Sequence, residues 1–266
     1  MKPLRLLVVG CTGRMGARVI SLAHADPHFR LVGAVTEAGH ASIGRDAAAP
    51  GDETTGVTVT SGFDDECDLA IEFSTPAGCA HWVHWCGERG IPIVSGTTGL
   101  DDGQQAALAE AARQTAVFWA PNMSIGANVL LRIAAEVAAA LGDDVEIEIS
   151  ETHHSAKIDA PSGTARALLE AVCEALGRDP QQVAVYGRNG RCGPRRPNEI
   201  GVHSLRIGEV IGEHEVQFLA GRETLKLRHE AHSRDAFAAG ALRAARWLIA
   251  QPNGLYGMSD LLRIRS

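Results

Sequence analysis

Short apolar runs, each closed by glycine, proline or a polar turn, alternate with longer helix-patterned stretches over the first half of the chain. Residues 4–9, 31–35, 69–73, 91–94 and 117–120 are brief and largely apolar, the pattern of strands buried on both faces. Between them, residues 15–25, 77–89 and 101–114 read as helices, the last a run of alanine, glutamine and glutamate behind a Thr-Gly-Leu-Asp start. Strands and helices in this order predict an α/β domain with a parallel, doubly wound sheet.

The pattern changes after Asn122. Residues 125–141 predict a long helix, 145–149 a strand and 162–176 a second helix, followed by closely spaced alternating strands at 202–207, 213–219 and 224–229. Such spacing favours a mixed α+β sheet with antiparallel pairs. Residues 186–201, rich in arginine, glycine and proline, predict a long exposed loop, and residues 234–250 a final helix. The expected division is residues 1–126 with 235–266 as one domain and 127–234 as the other, the chain crossing between them near residues 124–128 and 233–236.

Composition narrows the classes of function. A chain of 266 residues, 45% hydrophobic and 21% charged, has ample length to bury a core. The formal charge of -7 argues against nucleic acid as a partner. The first apolar run is too short for a signal peptide or a membrane span, so no membrane partner is expected. Six cysteines without Cys-x-x-Cys pairs suit a reducing cytoplasm. Cys79, His81, His84 and Cys86 offer metal-ligand types, but on a helix the cysteines share one face and the histidines nearly the opposite one. An amphipathic packing helix, with no metal, is the reading there.

Gly10-Cys11-Thr12-Gly13-Arg14-Met15-Gly16 lies between the first strand and the first helix, the context a dinucleotide fingerprint requires, and makes the sheet Rossmann-like. Glycines let the backbone approach a pyrophosphate, and the helix start favours negative charge. Thr12 stands where the commoner Gly-x-Gly form has glycine, so a plain strand-to-helix turn remains the competing reading. Glu37, about 20 residues beyond the loop, stands where an acid takes the ribose hydroxyls. Facing the ribose, it would meet a 2′-phosphate with like charge, a repulsion of about 4 kcal/mol per charge pair at intermediate dielectric. Two further turns, containing Gly96, Thr97 and Thr98, and Pro121, Asn122 and Met123, follow later strands and are expected to line the nicotinamide half of the site.

The segment Glu151-Thr152-His153-His154-Ser155-Ala156-Lys157-Ile158-Asp159-Ala160-Pro161-Ser162-Gly163-Thr164-Ala165 follows a strand and opens a helix. It brings a candidate proton donor and cations beside hydroxyls and N–H groups at a helix start, equipment for a small carboxylate anion. The competing reading makes Ser162 a helix cap and the histidines loop residues.

These motifs resemble the 4-hydroxy-tetrahydrodipicolinate (dihydrodipicolinate) reductase family. The resemblance rests on Gly-Arg-Met-Gly at 13–16, Gly96-Thr97-Thr98-Gly99, Asn122-Met123-Ser124-Ile125-Gly126 and above all Glu151 to Ala165. Gly201 to Arg206, Gly212 to Val216 and His229 to Arg234 extend it over essentially the whole chain. It implies an NADH- or NADPH-dependent, cytoplasmic, homotetrameric reductase of a small dicarboxylate ring in lysine and diaminopimelate biosynthesis. His153 would be the general acid and Lys157 would assist, while His154, Ser162, Gly163 and Thr164 would hold carboxylates. Ala38 and Thr75 stand where some members carry arginines that reach a 2′-phosphate, so NADH is expected to serve at least as well as NADPH. A reductase of a related amino-acid precursor and a nucleotide-sensing regulator are the alternatives.

Overall fold

The structure, a computed structural model, describes residues 2–262. In chain order its elements are β1 (Leu4–Val9), α1 (Arg14–Ala25), β2 (Phe29–Val35), β3 (Val59–Thr60), β4 (Leu69–Glu72), α2 (Pro76–Arg89), β5 (Ile93–Ser95), α3 (Asp102–Ala111), β6 (Ala116–Trp119) and α4 (Ile125–Leu141). Then follow β7 (Glu146–His153), α5 (Gly163–Ala175), α6 (Pro180–Val183), β8 (Ala184–Tyr186), β9 (Ile200–Arg206), β10 (Gly212–Ala220) and β11 (Glu223–Ala231). The chain closes with α7 (Asp235–Leu248), β12 (Gly254–Tyr256) and α8 (Met258–Leu262). It divides into two compact units, Met1–Ile125 with Arg234–Ser266, and Gly126–Ser233. The expected domain segment 235–266 ends in residues 263–266, which lie outside the described residues.

The first unit holds a seven-stranded sheet in the order β12-β6-β5-β4-β1-β2-β3, every pair parallel. Both faces are covered, which is why these strands read as apolar runs without alternation. One core packs Leu6, Val8 and Phe118 against α1 and α7, and the other packs Leu7, Val9 and Val117 against α2 and α3. On α2, Cys79, Trp82, Val83 and Cys86 face inward while His81 and His84 are exposed. Because all strands are parallel, the turns carrying Gly10, Glu37, Ser74, Thr97 and Asn122 all leave the same edge of the sheet. The order reverses between β1 and β4, the switch point where such sheets open a crevice.

The second unit is a five-stranded mixed sheet in the order β11-β10-β7-β9-β8. Strands β11, β10 and β7 pair antiparallel, while β7, β9 and β8 pair parallel. One face lies on α4 and α5, with Ile147, Ile149, Val202, Val216 and Phe218 in its core. The opposite face is polar, with Arg188, Arg195 and His203 gathered on Glu148, whose carboxyl they hold below its usual range against the opposing effect of burial.

Several boundaries differ from expectation for physical reasons. Strand β7 runs past Ile149 to His153, because pairing with β9 and β10 continues the ladder through polar residues. Helix α3 ends at Ala111, three residues short of Gln114, and residues 112–114 form a turn. Strands β3, β8 and β12 were not expected; each has three residues or fewer and sits at or near a sheet edge, too short for a pattern to register.

Phe218 is fully buried, whereas Ile158 is 99% exposed. Phe218→Ala is expected to lower the unfolding free energy by about 3–5 kcal/mol, and Ile158→Ala to change it by less than about 0.5 kcal/mol. Urea denaturation of the two variants beside the parent chain checks both.

Candidate active site

The cofactor motif forms a tight turn at the carboxyl end of β1. Gly10 adopts φ +73°, and a Cβ there would overlap the Phe73 carbonyl, so only glycine fits both the conformation and the close approach. A Cβ at Gly16 would overlap the Gly10 carbonyl, which fixes how closely α1 packs on the turn. The start of α1 has neither a capping side chain nor an acidic residue in its first turn. Thr12 and Arg14 are exposed beside it, and the Thr12 hydroxyl meets Thr36 at 2.7 Å. This geometry fits a pyrophosphate, since uncapped N–H groups and an unopposed helix dipole favour an anion. Glu37 is exposed two residues past β2.

The later turns bear on the same edge. Thr98 and Pro121 are exposed, Gly96 and Asn122 are half-buried, and the Asn122 side chain accepts the Ser124 N–H at 2.8 Å. Three side chains among the cofactor candidates point elsewhere. Met123 is 2% exposed in the core and Met15 packs against it, so contact with a cofactor would fall to their main chains. Thr97 is also buried, its hydroxyl donating to Glu72 at 2.8 Å.

In the second unit the covered sheet face changes character along its strands. Ile147 and Ile149 lie in the apolar core, and two steps further along the same face come Glu151 and His153. Register sets Ser204, Glu151, His214 and His229 in one row across four strands, with Arg206 opposite His153 in the next. The Glu151 side chain is fully buried. Its carboxylate accepts from Arg206 at 2.9 and 3.0 Å, from the Ser162 N–H at 3.1 Å, and contacts His153 Nδ1 at 2.5 Å. Burial would raise its pKa, but these partners and Ser204 outweigh it and hold the carboxyl at about 2.

His153 is therefore the last residue of a strand rather than a loop residue. Its Nδ1 is committed to Glu151, which orients the ring and leaves Nε2 as the nitrogen that can exchange a proton with a ligand. Burial lowers its pKa, Glu151 opposes that effect, and Lys157 and Arg206 add to it. The ring packs edge-on to His214 at 5.2 Å, and His214 stacks on His229 at 6.4 Å. His214 is 4% exposed, and burial, with the nearby His153, lowers its pKa to about 3.

Ser162 caps α5, its oxygen accepting the Ala165 N–H at 3.2 Å and meeting His214 Nε2 at 3.1 Å. At 2% exposure and engaged on both sides, its side chain serves as a cap rather than an open ligand, and Gly163 and Thr164 present the more accessible helix start. His154 is half-buried at the head of the loop, and the Lys157 ammonium rests on Asp159 at 2.8 and 3.0 Å. Sequence reasoning missed Glu151, Arg206 and His214 as working parts. The available signal was parity: Glu151 shares its strand face with Ile147 and Ile149, which marks a buried acid in need of a cation.

A doubly wound parallel unit with a glycine turn at its switch point, joined to a mixed-sheet unit bearing an acid-paired histidine, defines a nicotinamide-dependent oxidoreductase of two-unit build. The family models described as dihydrodipicolinate reductase, N-terminus and C-terminus, match residues 4–123 and 126–262, and the chain belongs to the dihydrodipicolinate reductase family. It is 41% identical over 266 residues to the 4-hydroxy-tetrahydrodipicolinate reductase of Geotalea uraniireducens (98% of this chain, 100% of that one). It is 43% identical over 267 residues to that of Anaeromyxobacter sp. strain Fw109-5 (99% of each). Among solved structures, the dipicolinate-bound dihydrodipicolinate reductase of Paenisporosarcina sp. TG-14 shares the fold, with a TM-score of 0.74 and 24% identity over 97% of this chain and 99% of that one. No helix among the described residues is long and apolar enough to cross a membrane.

Both buried groups make the fold acid-sensitive. Glu151, with its folded pKa near 2, contributes stability that is present above the ordinary carboxylate range and is lost as pH falls toward 2. His214, with its folded pKa near 3, refuses a proton that the unfolded chain accepts below about 6.5, so it too loses stability as pH falls from there. The melting temperature is expected to drop steadily between pH 6.5 and 4. His214→Gln should flatten that decline, and thermal melts of the two chains across this range check it.

Proposed function

We propose that the chain reduces 4-hydroxy-2,3,4,5-tetrahydrodipicolinate to 2,3,4,5-tetrahydrodipicolinate with loss of water, in lysine and diaminopimelate biosynthesis. The observation that carries this reading is the Glu151–His153 pair, fixed by Arg206 beside the start of α5. The full-length likeness to reductases of that name supports the substrate. The ring loses water with its hydroxyl and a neighbouring hydrogen, and a hydride and a proton then add across the conjugated system. When bound, the reduced nicotinamide supplies the hydride.

The chain supplies the rest. Gly10, Thr12, Gly13, Arg14 and Gly16 hold the pyrophosphate at the start of α1, and Glu37 takes the ribose hydroxyls. Gly96, Thr98, Pro121 and Asn122, with the main chains of Met15, Thr97 and Met123, line the remainder. Lys157, His154, Gly163 and Thr164 bind the two substrate carboxylates, Lys157 exchanging Asp159 for the anion. His153 gives the proton. Its pKa is held down in the free chain, so it takes that proton on as the dianion arrives and offsets Lys157 and Arg206, while the ionised Glu151 steadies the imidazolium.

Cofactor choice follows from charge. Ala38 is exposed and uncharged, and the Thr75 hydroxyl is engaged with the Gly78 N–H at 3.1 Å, so neither offers a cation to a 2′-phosphate. NADH is the cofactor used at least as well as NADPH. The second unit's exposed polar sheet face supplies the contacts of a homotetramer, and the compartment is the cytoplasm.

The test is loss of reduced-cofactor absorbance when substrate is generated in situ from pyruvate and aspartate semialdehyde by the preceding synthase. The parent chain should oxidise NADH at a kcat/KM no lower than with NADPH, and His153→Ala should lose about 10²–10⁴-fold in kcat. Lys157→Met should raise KM as well as lower kcat. Synthase-dependent oxidation absent with both cofactors, from a folded chain that binds NADH, would overturn the reaction assigned.

A further inference from the structure

Glu72, the last residue of β4, is fully buried and takes no part in the chemistry above. Its Oε1 accepts from the Ser74 N–H and hydroxyl at 2.5 Å each and from the Thr97 hydroxyl at 2.8 Å. Its Oε2 accepts from Ser95 at 2.7 Å and Thr97 at 3.0 Å. One carboxylate therefore ties the turn after β4 to the turn after β5. Main-chain bonds extend the tie, with the Gly96 N–H donating to the Glu72 carbonyl at 3.0 Å and the Phe73 N–H to the Val9 carbonyl at 3.1 Å.

A further turn and the end of a strand lean on the same group. Gly10 of the cofactor turn lies against the Phe73 main chain, and Gly96 lies against the Phe73 ring so closely that a Cβ at either would overlap it. Trp119, at the end of β6, donates its indole N–H to the Thr97 carbonyl at 3.0 Å. Turns after β1, β4 and β5 thus converge on residues 72–74, and the end of β6 reaches them through Thr97, all on the sheet edge assigned to the cofactor. Apart from Phe73, the residues of these turns are small or polar, so apolar packing holds the strands more firmly than the turns.

We propose that Glu72 is a positioning residue for nicotinamide cofactor binding, clamping the carboxyl-edge turns through Ser74, Ser95 and Thr97 before the cofactor arrives. The proposal rests on the reading of this edge as the cofactor site. Preorganised turns bind without first being ordered, so releasing the clamp weakens the cofactor and spares the dicarboxylate, whose residues lie on the other unit. Gln keeps the length and one acceptor oxygen, and the Ser95 and Thr97 hydroxyls can turn to accept from its amide. Ala removes the clamp.

The experiment is titration of NADH, followed by Trp fluorescence and calorimetry, alongside titration of dipicolinate, on the parent chain, Glu72→Ala and Glu72→Gln. Glu72→Ala is expected to raise the NADH Kd by about tenfold or more while dipicolinate binding changes by less than about twofold. Glu72→Gln is expected to recover most of the NADH affinity. Should Glu72→Ala not fold, Ser95→Ala, which deletes one strut at a residue given no cofactor contact, is read by the same criteria with a smaller rise. An unchanged NADH Kd, or proportional loss of both ligands, would overturn the proposal. A parent chain that binds no NADH would instead overturn the cofactor reading beneath it.

Discussion

A carboxylate can leave water only where its oxygens are met by donors, and Glu151 leaves water completely. Arg206 grips it from the neighbouring strand, Ser162 donates from the start of α5, and His153 closes the set from two residues along the same strand. Strand register, helix placement and ring orientation in the second unit all meet at this one group. Removing Arg206 would strand the charge, and removing Glu151 would leave Arg206 and His153 facing each other. The chemistry of the unit is therefore inseparable from the ion pair beneath it.

The first unit uses the same device for another end. Glu72 closes β4 as a buried acid, but its donors are hydroxyls and a main-chain N–H rather than a guanidinium. Those donors come from the end of β5 and the turns beside it, so one side chain fixes both turns. The two buried acids thus divide the work: one orders an imidazole, the other orders loops.

Much of this was legible in the sequence because it obeys simple periodicities. Runs such as Leu4–Val9 are buried on both faces and read directly as parallel strands, and the glycine turn between β1 and α1 was recognisable from its position. His153, Lys157 and the helix start at Ser162 were equally visible as a dense group. The polar half of β7 was not, because a rule that assigns polar residues to turns ends the strand at Ile149, while ladder pairing carries it on to His153. Arg206 and His214 are over 50 residues from Glu151 in sequence, and only register makes them neighbours. Ser162 looked like an anion ligand and is a committed cap, since sequence shows a hydroxyl but not how it is spent.

The Thr75 cap has a consequence for how such an enzyme changes over evolutionary time. Its hydroxyl meets a main-chain N–H at the start of α2, an interaction typically worth about 1 kcal/mol. An arginine at this position, gained to reach an added phosphate, would forfeit that cap. Selection for an arginine here would then act on the same codon as selection for a well-formed helix, and the substitution would first emerge in a less heat-tolerant lineage. Repair would have to come from elsewhere in α2, so a charge gained at this turn should leave a trail of compensating changes along one helix.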